Sequence, residues 1–137
     1  MEIVSRGNPM MAGLGVCDPH IHVFDGTAYL YATRDASPFS RGYRMEEWWI
    51  WSSTDLQRWR LRYRLSPAQT YMGRGFSDCW ATDAARRGGR YFWYLAMNDM
   101  GRSGNPYYRD FFICRVRYGS GGEIMPFRVS PEVNLAE

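Results

Sequence analysis

From Cys17 onward, short apolar runs alternate with turn residues. His20-Ile21-His22-Val23-Phe24 has a period of two, which predicts a strand with one face buried. Asp25-Gly26 follows, then Ala28-Tyr29-Leu30-Tyr31-Ala32-Thr33. An Asp-Gly pair between two such runs predicts a tight hairpin, because its turn needs positive φ. Arg34 to Arg44 reads as a polar loop, and Trp48-Trp49-Ile50-Trp51-Ser52 as a third strand. Ser53-Thr54-Asp55-Leu56 reads as a turn, and Trp59-Arg60-Leu61-Arg62-Tyr63 as a fourth strand. Four short antiparallel strands with tight turns make a sheet of the kind that forms a propeller blade. Arg58, Arg60, Arg62 and Arg64 alternate, which predicts one solvated strand face.

The pattern then restarts. Asp83 opens a short segment, Gly88-Gly89 make a turn, and Tyr91-Phe92-Trp93-Tyr94-Leu95 form the next strand. Gly26 and Gly89 stand about 63 residues apart, near the period of blade repeats. Gly101 to Pro106 reads as a loop, and Phe111 to Tyr118 as a strand. Ser120-Gly121-Gly122 reads as a turn before a last short strand over Glu123-Ile124-Met125-Pro126-Phe127. The segment up to Gly15, punctuated by Gly and Pro, reads as an extended arm. No stretch sustains a helical period with caps, so helix content is predicted to be low. The expected fold is all-β: an incomplete β-propeller of about two four-stranded antiparallel blades. One domain is expected, divided into an arm (1–15), blade I (16–66), part of blade II (67–100) and a closing segment (101–137).

Composition narrows this picture. At 137 residues the chain is long enough for one domain with a sizeable core. Six Trp and ten Tyr exceed the usual needs of such a core. Most fit a sheet interior, and the rest are suited to stacking on sugar rings or bases. The net charge is +3, and all seventeen cations are Arg. They are scattered without a dense basic run, so nucleic acid is not an expected partner and ranks last among the readings. Cys17, Cys79 and Cys114 form no C-x-x-C pair, which argues against zinc and against a disulfide framework. Such sparse Cys use favours a reducing compartment. No long apolar stretch marks a secretory signal, and no run reaches membrane-spanning length. A cytoplasmic location and no membrane partner are expected.

Two carboxylates carry the candidate chemistry. Asp18 precedes Pro19 at a strand start, and Pro19 biases it towards an extended conformation. Asp83 also stands at a strand start. The innermost strands of successive propeller blades begin at one mouth of the central channel, so the two would face each other there. Carboxylates gathered in a partly desolvated pocket have their pKa values pushed apart, as acid/base hydrolysis requires. The alternative is that both are turn or cap residues, which Asp favours.

Several stretches then share one resemblance. Asn8-Pro9, Cys17-Asp18-Pro19-His20-Ile21-His22-Val23-Phe24-Asp25-Gly26 and Tyr29-Leu30-Tyr31 together resemble the first blade of glycoside hydrolase family 43. Trp51-Ser52-Ser53-Thr54-Asp55-Leu56-Gln57-Arg58-Trp59 is similar to that family's blade-end motif. Trp80-Ala81-Thr82-Asp83 resembles its second-blade W-A-P-D, with Thr82 in place of Pro. The segments 103–112 and 122–126 resemble, more loosely, its closing segment.

The resemblance implies a five-bladed β-propeller ancestry and an inverting glycosidase acting on arabinose- or xylose-containing plant polysaccharides. It makes Asp18 the general base and Asp83 the residue that orients the acid and tunes its pKa. The family's general acid is a Glu on a third blade, and no third blade is found here. Glu46 and Glu47 precede the Trp48 strand and read as solvated loop charges. None of the six Glu residues stands in the acid's motif, so the acid is unassigned. Trp80, Trp48, Trp49 and His20 are the candidate substrate-binding residues. His20 and His22 share a strand face but are weak evidence for a metal, so no metal or other cofactor is expected. The expected partner is a carbohydrate substrate. The alternative is a non-catalytic sugar-binding or remnant propeller piece. Open sheet faces and edges also predict self-association into a homo-oligomer.

Overall fold

The computed structural model describes residues 1–39, 44–71, 78–98, 109–121 and 123–130. The strands are β1 (Glu2–Val4), β2 (Val16–Phe24), β3 (Thr27–Asp35), β4 (Met45–Ser53), β5 (Arg58–Leu65), β6 (Cys79–Arg87), β7 (Arg90–Asn98) and β8 (Arg109–Val116). They form a five-stranded sheet in the order β1-β5-β4-β3-β2 and a three-stranded sheet in the order β6-β7-β8. Every strand pairing is antiparallel. Among the described residues the only helical element is a 3₁₀ turn at Pro67–Gln69, and no helix is long and apolar enough to cross a membrane.

The hairpins form where the turn chemistry places them. Asp25 and Gly26 have φ of 51° and 78°, and Gly88 and Gly89 have 56° and 72°. Two consecutive left-handed residues match the right-handed twist of the flanking strands. In the β4–β5 turn, Asp55 accepts backbone hydrogen bonds from Gln57 (2.9 Å) and Arg58 (2.7 Å). Those two donors hold its carboxyl below the ordinary range.

Period-two alternation gives the first sheet two apolar faces. One carries Tyr29, Tyr31, Trp48, Ile50 and Leu65, which pack on Ala84, Trp93, Leu95, Met97, Cys114 and Val116 of the second sheet. The other carries Leu30, Trp49, Trp51 and Trp59. Ile3, Met11 and Leu14 of the N-terminal segment pack against that second face. The arm is therefore more than an extended lead-in: its Glu2–Val4 pairs with Arg58–Arg60 of β5.

Two local expectations are corrected. The arginines of β5 do not share one solvated face. The pairing with β4 shifts between Ile50↔Tyr63 and Trp51↔Leu61, so Arg62 is the extra residue of a β-bulge. A bulge reverses the alternation beyond it. Arg62 Nε donates to Ser52 Oγ at 2.7 Å, whereas the Arg64 guanidinium lies 5.4 Å from the Trp49 ring centre on the other face. Secondly, Glu123–Phe127 forms no strand, only a bridge between Tyr118 and Ile124. Pro126 lacks the N–H that a ladder would need. Phe127 still joins the core, stacked on Tyr63 with ring centres 5.2 Å apart.

Candidate functional site

The residues with chemistry gather where β2 meets β6. His20 and His22, two positions apart, pair with Tyr31 and Tyr29 of β3 and so lie on the face turned towards the second sheet. Asp83 reaches them from β6. Its Oδ1 lies 2.6 Å from His22 Nε2 and 3.7 Å from His20 Nδ1. The Ala84 backbone N–H donates to the same oxygen at 2.7 Å. His22 is steadied by stacking on Phe24, with ring centres 5.7 Å apart and planes 4° from parallel.

Burial works to raise the Asp83 pKa, but the His22 hydrogen bond, the Ala84 N–H and the two nearby imidazoles outweigh it. Asp83 is thus held below the ordinary carboxylate range and is ionised at neutral pH. Half of its side chain is accessible, and its Oδ2 forms no hydrogen bond among the described residues, which leaves it open to a ligand hydroxyl. Thr82, beside it, is buried. It accepts the Trp93 indole N–H at 2.5 Å and donates to the Tyr94 carbonyl at 2.9 Å, two bonds that a Pro at this position could not make.

Asp18 is not extended. Its φ is 47°, and it lies where the β2–β3 register shifts between Cys17 and His20. Asp tolerates the left-handed region better than most residues, and a bulge places one residue out of the ladder. The bulge thus overrides the extended bias imposed by Pro19. The Asp18 residue is exposed and makes no hydrogen bond or ion pair with the Asp83 cluster.

Two tryptophans read as substrate-binding are instead core residues. Trp48 is 0% exposed, and its indole N–H donates to the Trp80 carbonyl at 2.8 Å, tying β4 to β6. Trp49 is 3% exposed on the opposite face. Its N–H donates to Glu47 at 2.6 Å, and the Arg34 guanidinium lies 5.0 Å from its ring centre. Neither leaves a ring face for a sugar. Trp80 is half-buried against the core between the sheets.

Glu46 and Glu47 belong to β4 rather than to a loop. Glu46 pairs with Arg44 at 3.0 Å, and Glu2 with Arg60 at 3.0 Å. Glu123 lies against Gly119, in the space a Cβ would need there. No Glu bonds to the Asp83 cluster among the described residues; Glu132 and Glu137 lie outside them. No group of three or more His, Cys, Asp or Glu residues suited to a metal ion is found among the described residues. The His22–Asp83 pair was not assigned from sequence. The i, i+2 spacing of His20 and His22 signals a shared face, but their partner stands 61 residues away from His22.

Solved glycoside hydrolase family 43 structures share this fold. A GH43 enzyme from Xanthomonas citri superposes with a TM-score of 0.65 at 20% identity, over 91% of this chain and 36% of that one. A GH43 β-xylosidase/α-arabinofuranosidase from a compost microbial metagenome, in complex with xylotriose, gives 0.61 at 20% identity, over 93% and 38%. The X. citri enzyme complexed with xylotriose gives 0.58 at 20%, over 86% and 34%. The chain thus spans about a third of the length of these structures. No family model matches the sequence, and no curated protein matches it. The fold corresponds to about a third of these family-43 structures and is an incomplete, open β-propeller.

Proposed function

We propose that the β2–β6 end is a glycosidase-type site for arabinose- or xylose-containing oligosaccharides, with Asp18 as the base that activates water and Asp83 as the tuning and orienting carboxylate. The observation that carries this reading is the His22–Asp83 contact at 2.6 Å, which fixes an ionised carboxylate with one oxygen open. A sugar hydroxyl is a fitting donor to that oxygen, His20 Nδ1 lies 3.7 Å from the carboxylate's other oxygen, and Trp80 remains a candidate sugar contact. Neighbours of the same fold bind xylotriose, which supports the choice of sugar. Release of nitrophenol from an aryl β-xyloside or α-arabinofuranoside tests turnover: Asp18→Ala should abolish it.

A second reading is favoured by the absence of a Glu bonded to the cluster among the described residues. An inverting pair needs an acid roughly 6.5–9.5 Å from the base. Without one the site binds sugar and does not cleave it. Saturable xylotriose binding with no nitrophenol release would select this reading, and absence of both would remove the two together.

In the same proposal, residues 16–66 act as blade I, 67–100 as part of blade II and 101–137 as the closing segment. A second copy pairs with the open edges of the sheets. Light scattering at micromolar concentration should then give a dimer mass; a monomer mass would contradict it.

A further inference from the structure

A cavity of about 430 Å³ opens between the sheets beside the Asp25-Gly26 hairpin. None of its lining residues belongs to the His20, His22 and Asp83 cluster, although Phe24, one of its walls, stacks on His22. Its volume falls in the lower part of the range for small-molecule sites.

The walls are aromatic. Phe24, Tyr29, Tyr91 and Tyr118 line the cavity and brace one another, with ring centres 4.8 Å apart for Tyr91–Tyr118, 4.9 Å for Tyr29–Tyr118 and 5.1 Å for Phe24–Tyr91. A rigid wall of this kind offers apolar area to the C–H face of a sugar ring. Thr27, Thr54 and Ser120 add hydroxyls at the rim.

Two charged residues also line the cavity, and they differ in state. Asp25 is already satisfied: it accepts from Arg86 Nη1 at 2.8 Å and from the Tyr91 hydroxyl at 2.7 Å. Arg62 is half-buried and has no carboxylate within ion-pair distance among the described residues. Its one hydrogen bond there uses Nε, to Ser52, which leaves both terminal nitrogens free. Tyr29 is 7% exposed, and its hydroxyl has no partner among the described residues. Burial pushes that hydroxyl up, and the Arg62 charge pulls it back; both residues line the cavity.

A partly desolvated guanidinium with an open fork calls for a planar anion, and a carboxylate fits it in bidentate fashion. We propose that this cavity binds a hexuronate, a sugar ring bearing a carboxylate, with the carboxylate on Arg62 and the ring against the tyrosine wall. The inference goes beyond the activity proposed for the Asp83 end and does not depend on it.

Calorimetric titration of the full chain with D-glucuronate, its neutral methyl ester and D-glucose tests this. Glucuronate should bind saturably, at least about tenfold more tightly than either neutral sugar. Arg62→Gln should reduce it to the neutral level. Equal affinity for glucuronate and glucose, undiminished glucuronate binding in Arg62→Gln, or no saturation by glucuronate at up to about 50 mM would each overturn the proposal. The acid-versus-ester contrast reads the unsubstituted chain, so it stands even if the variant does not fold.

Discussion

The first sheet is covered on both faces. Leu30, Trp49, Trp51 and Trp59 lie under Ile3, Met11 and Leu14, while Tyr31, Trp48 and Ile50 meet the second sheet. The second sheet offers Trp93, Leu95, Cys114 and Val116 to that shared core, and no second cluster forms on its other side among the described residues. Both sheets have well-made hairpins with paired positive-φ residues. The difference lies in burial, which supplies most of the favourable free energy of folding. The first sheet has a second core of its own beneath the arm; the second sheet shares its core face with the first.

Trp93→Ala should break the arrangement most severely. Trp93 is 0% exposed and meets Tyr31, Tyr63 and Phe127 with ring centres 6.1–6.5 Å away. Truncation should cost about 3–5 kcal/mol. Hydrogen exchange should show β6–β8 losing protection while β3–β5 retain it; uniform loss would mean that the sheets are one cooperative unit. Thr82→Val keeps the volume and removes the acceptor of the Trp93 indole, with an expected loss of about 1–3 kcal/mol in urea denaturation. Leu14→Ala should cost less, about 1–2 kcal/mol, because Leu14 is half-buried and touches only the arm-covered face. Its effect should fall on the exchange of the first sheet alone.

The smallest effect is that of pH. Asp83 has a depressed pKa in the folded chain, so its contribution to stability is complete above the unfolded value of 3.8 and is lost as the pH falls through the lower folded value. Urea midpoints at pH 5 and pH 3 should differ less in Asp83→Asn than in the unsubstituted chain. An equal drop in both would show that the β2–β6 contact does not contribute to joining the sheets.

What was legible in the sequence was local. Asp25-Gly26 and Gly88-Gly89 announce their hairpins because positive φ is a property of those residues. The core strands follow from alternation. The register shifts at Asp18, Arg62 and Ala81 were not legible, because a bulge is decided by the fit to the neighbouring strand. Those shifts redirected Arg62 and gave Asp18 its left-handed backbone. They explain why the alternating arginines misled. Trp48 and Trp49 were similarly opaque: adjacent aromatics on a strand face opposite sides, and only the packing shows that both sides are covered. Asp83 could be singled out by its motif, but its partner His22 could be found only once β2 and β6 were brought together.

The chain has only two histidines, and both stand at Asp83, so their imidazole resonances report on that site. Titrating xylotriose while recording the histidine ring ¹H–¹⁵N spectra is therefore the most direct test. Saturable shifts at both rings, abolished in Asp83→Ala, are expected. Unmoved histidine resonances at saturating xylotriose, or shifts that persist in Asp83→Ala, would contradict a saccharide site at the β2–β6 seam.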